Sequence, residues 1–140
     1  MHAAIFDRFP KPPIAKLLGW RLIDADSKAG WARIGFEAKP EFLNPAGFVQ
    51  GGILAAMLDD AMGPAVLIAS GGALYTVSIG LQVSFLAPAK PGPMIGEGKV
   101  VQMGKTIAFM EASLTDSEGS VIARATSNAR LVPVERLQAA

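Results

Sequence analysis

Three kinds of polarising or reactive group fall within NPAGFVQGGILAAMLDDAMG, residues 44–63. The first is a pair of adjacent carboxylates, Asp59 and Asp60, set among Ile, Leu, Ala and Met. Aspartate is a weak helix former, and a carboxylate facing a core is costly unless it is paired or functional. Asp60 is read as solvent-facing, the usual place for an aspartate. Asp59 is flanked around a helix by Ala55, Ala56, Met62 and Gly63. Apolar neighbours of that kind raise a carboxylate's basicity and suit it to general-base or nucleophilic work. The second group is Gly51–Gly52 where that helix begins, with backbone N–H groups that lack partners and a positive dipole end able to hold an oxyanion. The third is Asn44, whose amide can orient a carbonyl or a water. Each has a plainer structural reading: a tight turn for the glycines, a turn before Pro45 for Asn44.

These residues need a long helix and something to pack it on. From Gly51 to about residue 68, Ile53, Leu54, Met57, Leu58, Ala61, Met62 and Ala65 recur at helical spacing, with Pro64 expected to kink or shorten the helix. Ahead of it, residues 12–19 read as a short helix, 20–25 and 30–37 as strands, and 38–50 as a loop. After residues 70–72 the period becomes two. Val77, Ile79, Leu81, Val83 and Phe85 alternate with polar or small residues, including Ser78. Further strands follow at 94–103, at 108–114 with Ala108, Met110, Ala112 and Leu114 on one face, and from 121 to 130. One long helix followed by an antiparallel meander is an α+β pattern, and a sheet with that sole cover must wrap around it. A chain of 140 residues fits a single domain spanning 1–140.

Composition removes several classes of function. A net charge of +1 gives no electrostatic case for nucleic acid. Zero cysteines exclude disulfides and thiol catalysis, and one histidine leaves no His-rich metal site. No uninterrupted apolar run reaches the ~18 residues of a membrane span, and the N-terminus lacks a signal-like apolar stretch. A cytoplasmic protein is the expectation. Hydrophobic residues at 51%, charged residues at 18% and a mean hydropathy of +0.36 predict more apolar surface than one small domain hides, hence a subunit interface. Two nucleotide-like fragments fail. GKT at 104–106 has Lys99 where a P-loop needs its first glycine, and GFVQGG lacks dinucleotide-binding spacing.

The order NPAGFVQGG, then LDDAMG, then a long alternating strand ending SFLAPAKPG, resembles the hotdog-fold acyl-CoA thioesterases of the PaaI (phenylacetate-degradation) type over residues 20–132. The resemblance implies a curved antiparallel sheet around one central helix, and hydrolysis of acyl-CoA without a metal or other cofactor. In the family motif an acidic residue follows nine positions after a histidine, and nine from Gln50 is Asp59, which therefore matches the catalytic carboxylate. Gly51 matches the oxyanion N–H donor and Gly52 its neighbour in the glycine pair. Asn44 matches a polar residue beside the thioester, and Ser78, ten before Pro88, a residue that positions water. Without the resemblance Ser78 reads as the polar face of a strand. Lys90 and Lys105 are candidates for the CoA phosphates, against an ordinary role as surface lysines. Gln50 departs from the family histidine: it can replace a hydrogen-bonding brace but cannot titrate near neutrality. That departure supports a rival reading, a non-catalytic acyl-CoA binding protein or ligand sensor on the same fold. Asp59 is eight residues beyond Gly51, about 12 Å along a helix, so the two can meet only between antiparallel helices of two subunits. The resemblance likewise implies a homodimer with shared sites, and often a homotetramer.

Overall fold

The computed structural model describes residues 3–138. Its elements are α1 (Ala3–Asp7), α2 (Pro13–Leu18), β1 (Arg21–Asp26), β2 (Trp31–Ala38), α3 (Gly51–Ala69), β3 (Leu74–Phe85), β4 (Gly92–Met103), β5 (Ile107–Asp116), β6 (Val121–Pro133) and α4 (Glu135–Gln138). Six antiparallel strands form one sheet in the order β1-β2-β4-β5-β6-β3, with α3 packed along it. This is the hotdog arrangement. The expected simple meander holds only for β4, β5 and β6. Strand β3 pairs with β6 at the far edge, and residues 86–91 carry the chain back to the middle of the sheet, where β4 pairs with β2. Periodicity reports which face a residue takes, not which strand lies beside it.

Helix α3 is long and apolar enough to cross a membrane by length and composition, yet here it lies on the sheet and buries Leu54, Met57, Leu58, Ala61, Met62, Ala65, Val66 and Ile68. Against it β4 presents glycines. A Cβ on Gly98 would run into the Ala61 carbonyl, and one on Gly96 would sit 3.1 Å from the Ala61 Cβ. Glycine at both places, facing alanine on α3, lets the backbones approach closely. The helix does not stop at Pro64. Proline there removes the N–H that would bond the Asp60 carbonyl. The Trp20 indole N–H donates to that carbonyl instead, at 3.2 Å. Trp20 also packs on Phe6 with ring centroids 5.1 Å apart, and the Arg8 guanidinium donates to the Gly72 carbonyl at 2.6 Å. The N-terminal segment is thus tied to both α3 and the turn that follows it.

Candidate active site

The loop before α3 is held by its backbone. Asn44 N–H donates to the Phe48 carbonyl, Gln50 N–H to Phe42, and Val49 N–H to Ala89, at 2.7–2.8 Å. The Asn44 side-chain oxygen accepts from the N–H groups of Ala46 and Phe48 at 3.0 and 3.1 Å, a turn that Gly47 completes at φ +85°. Asn44 therefore has the structural turn role, and its amide nitrogen remains as a donor. Gln50 precedes the helix and accepts through its carbonyl from Ile53 and Leu54, but its side chain forms no cap hydrogen bond. A brace at position 50 comes from the main chain.

Gly51 and Gly52 open α3, and their N–H groups make no backbone hydrogen bond among the described residues. They are free donors at the positive end of a 19-residue helix. The Phe85 ring lies directly on Gly51: a Cβ there would be 3.2 Å from the ring's Cζ and 3.3 Å from Cε1. Beside Gly52 the space is open. Next to this helix end is a cavity of about 380 Å³ lined by Asn44, Phe48, Gly51, Leu54, Phe85 and Leu86 among others.

The other half-site lies farther along α3. Ser78 Oγ donates to Asp59 Oδ1 at 3.2 Å. A bulge makes that bond possible. The β3–β6 register shifts between Ser78 and Gly80. Residues directly opposite in an antiparallel pair share a face. Ser78 lies opposite buried Ala129, while Leu81 and Val83 lie opposite buried Ser127 and Ala125. Ser78 and Leu81 thus face α3 together although they are three apart, and strict alternation would have put them on opposite faces. Sequence periodicity missed this, and Gly80 was its one available signal. Ser127 is the sole buried polar residue among the described residues, and its Oγ donates to the Gly80 carbonyl at 2.8 Å, on the bulge itself.

The two carboxylates exchange their expected surroundings. Asp59 is exposed in the subunit rather than enclosed by apolar neighbours. Asp60 is not solvent-facing: it is half-buried, and its Oδ2 is buried without a hydrogen-bond partner among the described residues. Burial first, and the charge of Asp59 second, push the Asp60 carboxyl up from 3.8 to about 6. The cause is position on the helix. Successive residues point about 100° apart, so Asp60 takes a different and more covered side of the helix, while Asp59 faces β3.

The structure joins Asp59 to Ser78, and Gly51 to Asn44 across the cavity, but within the chain it does not join the two pairs. Lys90 is exposed in the loop just past Ala89, on the Gly51 side. Lys105 is exposed in the β4–β5 turn, beside Thr106, whose carbonyl accepts from the Leu131 opposite Thr76. It therefore belongs to the Ser78 side. Among the described residues no three His, Cys, Asp or Glu side chains converge. A larger hollow of about 560 Å³ on the outer face of the sheet is lined by Glu97, Lys99, Glu111 and Arg124. None of Asn44, Gln50, Gly51, Gly52, Asp59, Ser78, Lys90 and Lys105 lines it.

A profile of the thioesterase superfamily matches residues 46–123, more than half of the chain. A candidate esterase from Saccharolobus solfataricus is 32% identical over 112 residues, covering 80% of this chain and 78% of that protein. Human acyl-coenzyme A thioesterase 13 is 31% identical over 90 residues, covering 63% of this chain and 64% of its own. Among solved structures, a phenylacetic-acid-degradation-related protein from Ralstonia eutropha JMP134, described as a candidate thioesterase, superposes with a TM-score of 0.83 at 32% identity. That match covers 91% of this chain and 96% of the other.

Proposed function

The chain belongs to the thioesterase superfamily, as a thioester hydrolase of the hotdog fold and PaaI type, and from that premise we propose that it hydrolyses acyl-CoA to free acid and CoA without a metal. The thioester carbonyl accepts from the Gly51 N–H, and the developing oxyanion gains from a preorganised donor at a helix N-terminus. Asp59 takes a proton from a water beside Ser78 as the water oxygen bonds to the carbonyl carbon. Collapse of the tetrahedral oxyanion breaks the C–S bond, and the proton passes to the departing sulfur. Direct attack by Asp59, through an anhydride that water then opens, uses the same residues. A single turnover in ¹⁸O-water distinguishes them, since only the anhydride route can leave label in Asp59.

The observation that carries this reading is the Ser78–Asp59 hydrogen bond, eight residues down the helix from Gly51. A base must come within about 3–4 Å of its reacting atoms, and about 12 Å along one helix is too far. Two subunits with antiparallel α3 helices resolve the conflict: Gly51 and Asn44 of one meet Asp59 and Ser78 of the other, twice per isologous dimer. Lys90 from the first half and Lys105 from the second supply positive charge for the CoA phosphates. Pairing of such dimers gives the homotetramer, in the cytoplasm.

A panel of acyl-CoA substrates read by thiol release tests the reading, and turnover should persist after exhaustive chelation. Gln50 favours the rival, a non-catalytic acyl-CoA binder, because an amide replaces the family's titratable ring. Calorimetric binding with no thiol released from any substrate would establish that rival.

A further inference from the structure

Helix α3 and strand β3 are tied together at two levels. At one, Ser78 Oγ donates to Asp59 Oδ1 at 3.2 Å; at the other, the Leu74 N–H donates to Ser70 Oγ at 3.0 Å. Between them lie Gly63, four residues past Asp59, and Thr76, two residues before Ser78, both half-buried. Thr76 stands opposite buried Leu131 as Ser78 stands opposite buried Ala129, so both hydroxyls are on the face turned to α3. The Ser78 hydroxyl is engaged by Asp59, whereas that of Thr76 has no hydrogen-bond partner among the described residues. Gly63 has neither a conformational nor a packing reason to be glycine. Its φ is not positive, and a Cβ there would meet only Thr76 Oγ1, at 3.4 Å, an ordinary contact. On Gly96, by contrast, a Cβ would press on the Phe36 ring at 2.9 Å. Glycine inside a helix is destabilising relative to alanine, so at position 63 it keeps space open at a cost to the helix.

We propose that Gly63 and Thr76 form a slot through which the CoA arm leaves the reaction centre, with the Thr76 hydroxyl bonded to the first amide of that arm. The proposal rests on the reading that Asp59 and Ser78 act on an acyl-CoA. Gly63 is about 6 Å along the helix from Asp59, and Thr76 about 6.6 Å along the strand from Ser78. The first amide of CoA begins three bonds from the sulfur, roughly 4 Å, with its carbonyl a little beyond. An amide at that remove from the thioester comes level with the slot. A hydroxyl can donate to its carbonyl or accept from its N–H, and a glycine lets the flat group pass close to the helix. The direction agrees with the lysine on this side. Leu131, opposite Thr76, donates its N–H to the Thr106 carbonyl at 2.8 Å, so Lys105 is next to a residue two strand spacings, about 10 Å, from Thr76. The remaining arm can span that distance to bring its phosphates to Lys105.

The experiment compares two thioesters of one acyl group, the N-acetylcysteamine ester, which keeps the first amide, and the pentanethiol ester, which has methylenes in its place. Thr76→Val removes the hydroxyl and keeps the shape. It should raise KM for the N-acetylcysteamine ester by about three- to tenfold. The bond is made equally in ground and transition states, so kcat should stay within about twofold. The pentanethiol ester should be unaffected, and Thr76→Ser should restore the N-acetylcysteamine KM. Gly63→Ala should leave the urea midpoint unchanged or higher, because alanine favours the helix, yet raise KM for both esters and for acyl-CoA by at least about fivefold. If Thr76→Val acts equally on the two esters or on neither, or if Gly63→Ala keeps the wild-type KM, the assignment is overturned while the thioesterase reading stands. Should the wild type hydrolyse no thioester, that reading fails separately, and calorimetry with S-pentyl-CoA decides. Binding weakened three- to tenfold in Thr76→Val supports the slot. Equal affinity, or no binding to the wild type, refutes it.

Discussion

Asp59 and Asp60 differ only in the direction each takes from α3, yet they do opposite things. Asp59 is exposed and bonded to Ser78; Asp60 is half-buried with a stranded oxygen. Asp59→Asn keeps shape and removes basicity, so turnover should fall by at least about 10² while substrate still binds. Asp60→Asn should leave turnover within about threefold, because that side chain touches neither half-site. Equal losses would undo the assignment. Asp60 instead predicts a pH dependence of stability. Its folded value, about 6, lies above the ordinary 3.8, so the folded chain keeps a proton that the unfolded chain has released between those values. The contribution is full below 3.8 and is lost as the pH rises through about 6. Asp60→Asn cannot titrate, so urea midpoints of the variant should lose that part of the slope. At pH 8 the gain should be about 1–2 kcal/mol, after allowance for residual solvent screening. An unchanged slope would show that Asp60 is already charged at pH 5.

Among the elements, the bulge in β3 decides the site. Ser127→Ala removes the hydrogen bond that holds the Gly80 carbonyl, at a cost of about 0.5–1.5 kcal/mol in stability. If that bond also fixes Ser78 against Asp59, kcat should fall by about tenfold with KM within twofold, since small misplacement of a catalytic group lowers rate more than binding. A lower melting temperature with unchanged kcat would reduce Ser127 to a purely structural residue. The bulge also marks the limit of what the sequence makes legible. Helical spacing located α3 to within a residue at its end, and alternation located the strands and the buried faces of β5, because each element repeats one simple period. Helix spacing alone could not assign Asp59 and Asp60 to their faces, since that depends on which sides of α3 are covered by β3 and by the Trp20 segment. The half-site at Ser78 needed an added residue in β3 that breaks the period, and pairing with β6 depends on contacts far along the chain. Pro64 is a similar case. Its local rule predicts a shortened helix, and a tryptophan 40 residues away at the Asp60 carbonyl removes the need.

At the scale of the molecule, the shared-site arrangement predicts complementation. Asp59→Ala and Asn44→Ala proteins, each nearly inactive, are unfolded together and refolded. Half of the dimers should be mixed, each with one intact site and one doubly damaged, so about a quarter of wild-type activity should return. Verified mixed dimers without activity would place each site inside one subunit. The edge strand β3 carries a consequence of its own. Leu74–Phe85 holds twelve residues with no proline and no charged side chain, and Val77, Ile79 and Leu81 are exposed along it. Edge strands ordinarily carry a lysine, a proline or an inward charge that discourages other chains from adding to them. Here only the bulge interrupts an open template of strand-forming residues. If the proposed dimer covers this edge, a subunit without its partner should not persist as a quiet monomer but recruit other strands and precipitate, so loss of the dimer would surface as insolubility before it surfaced as lost catalysis.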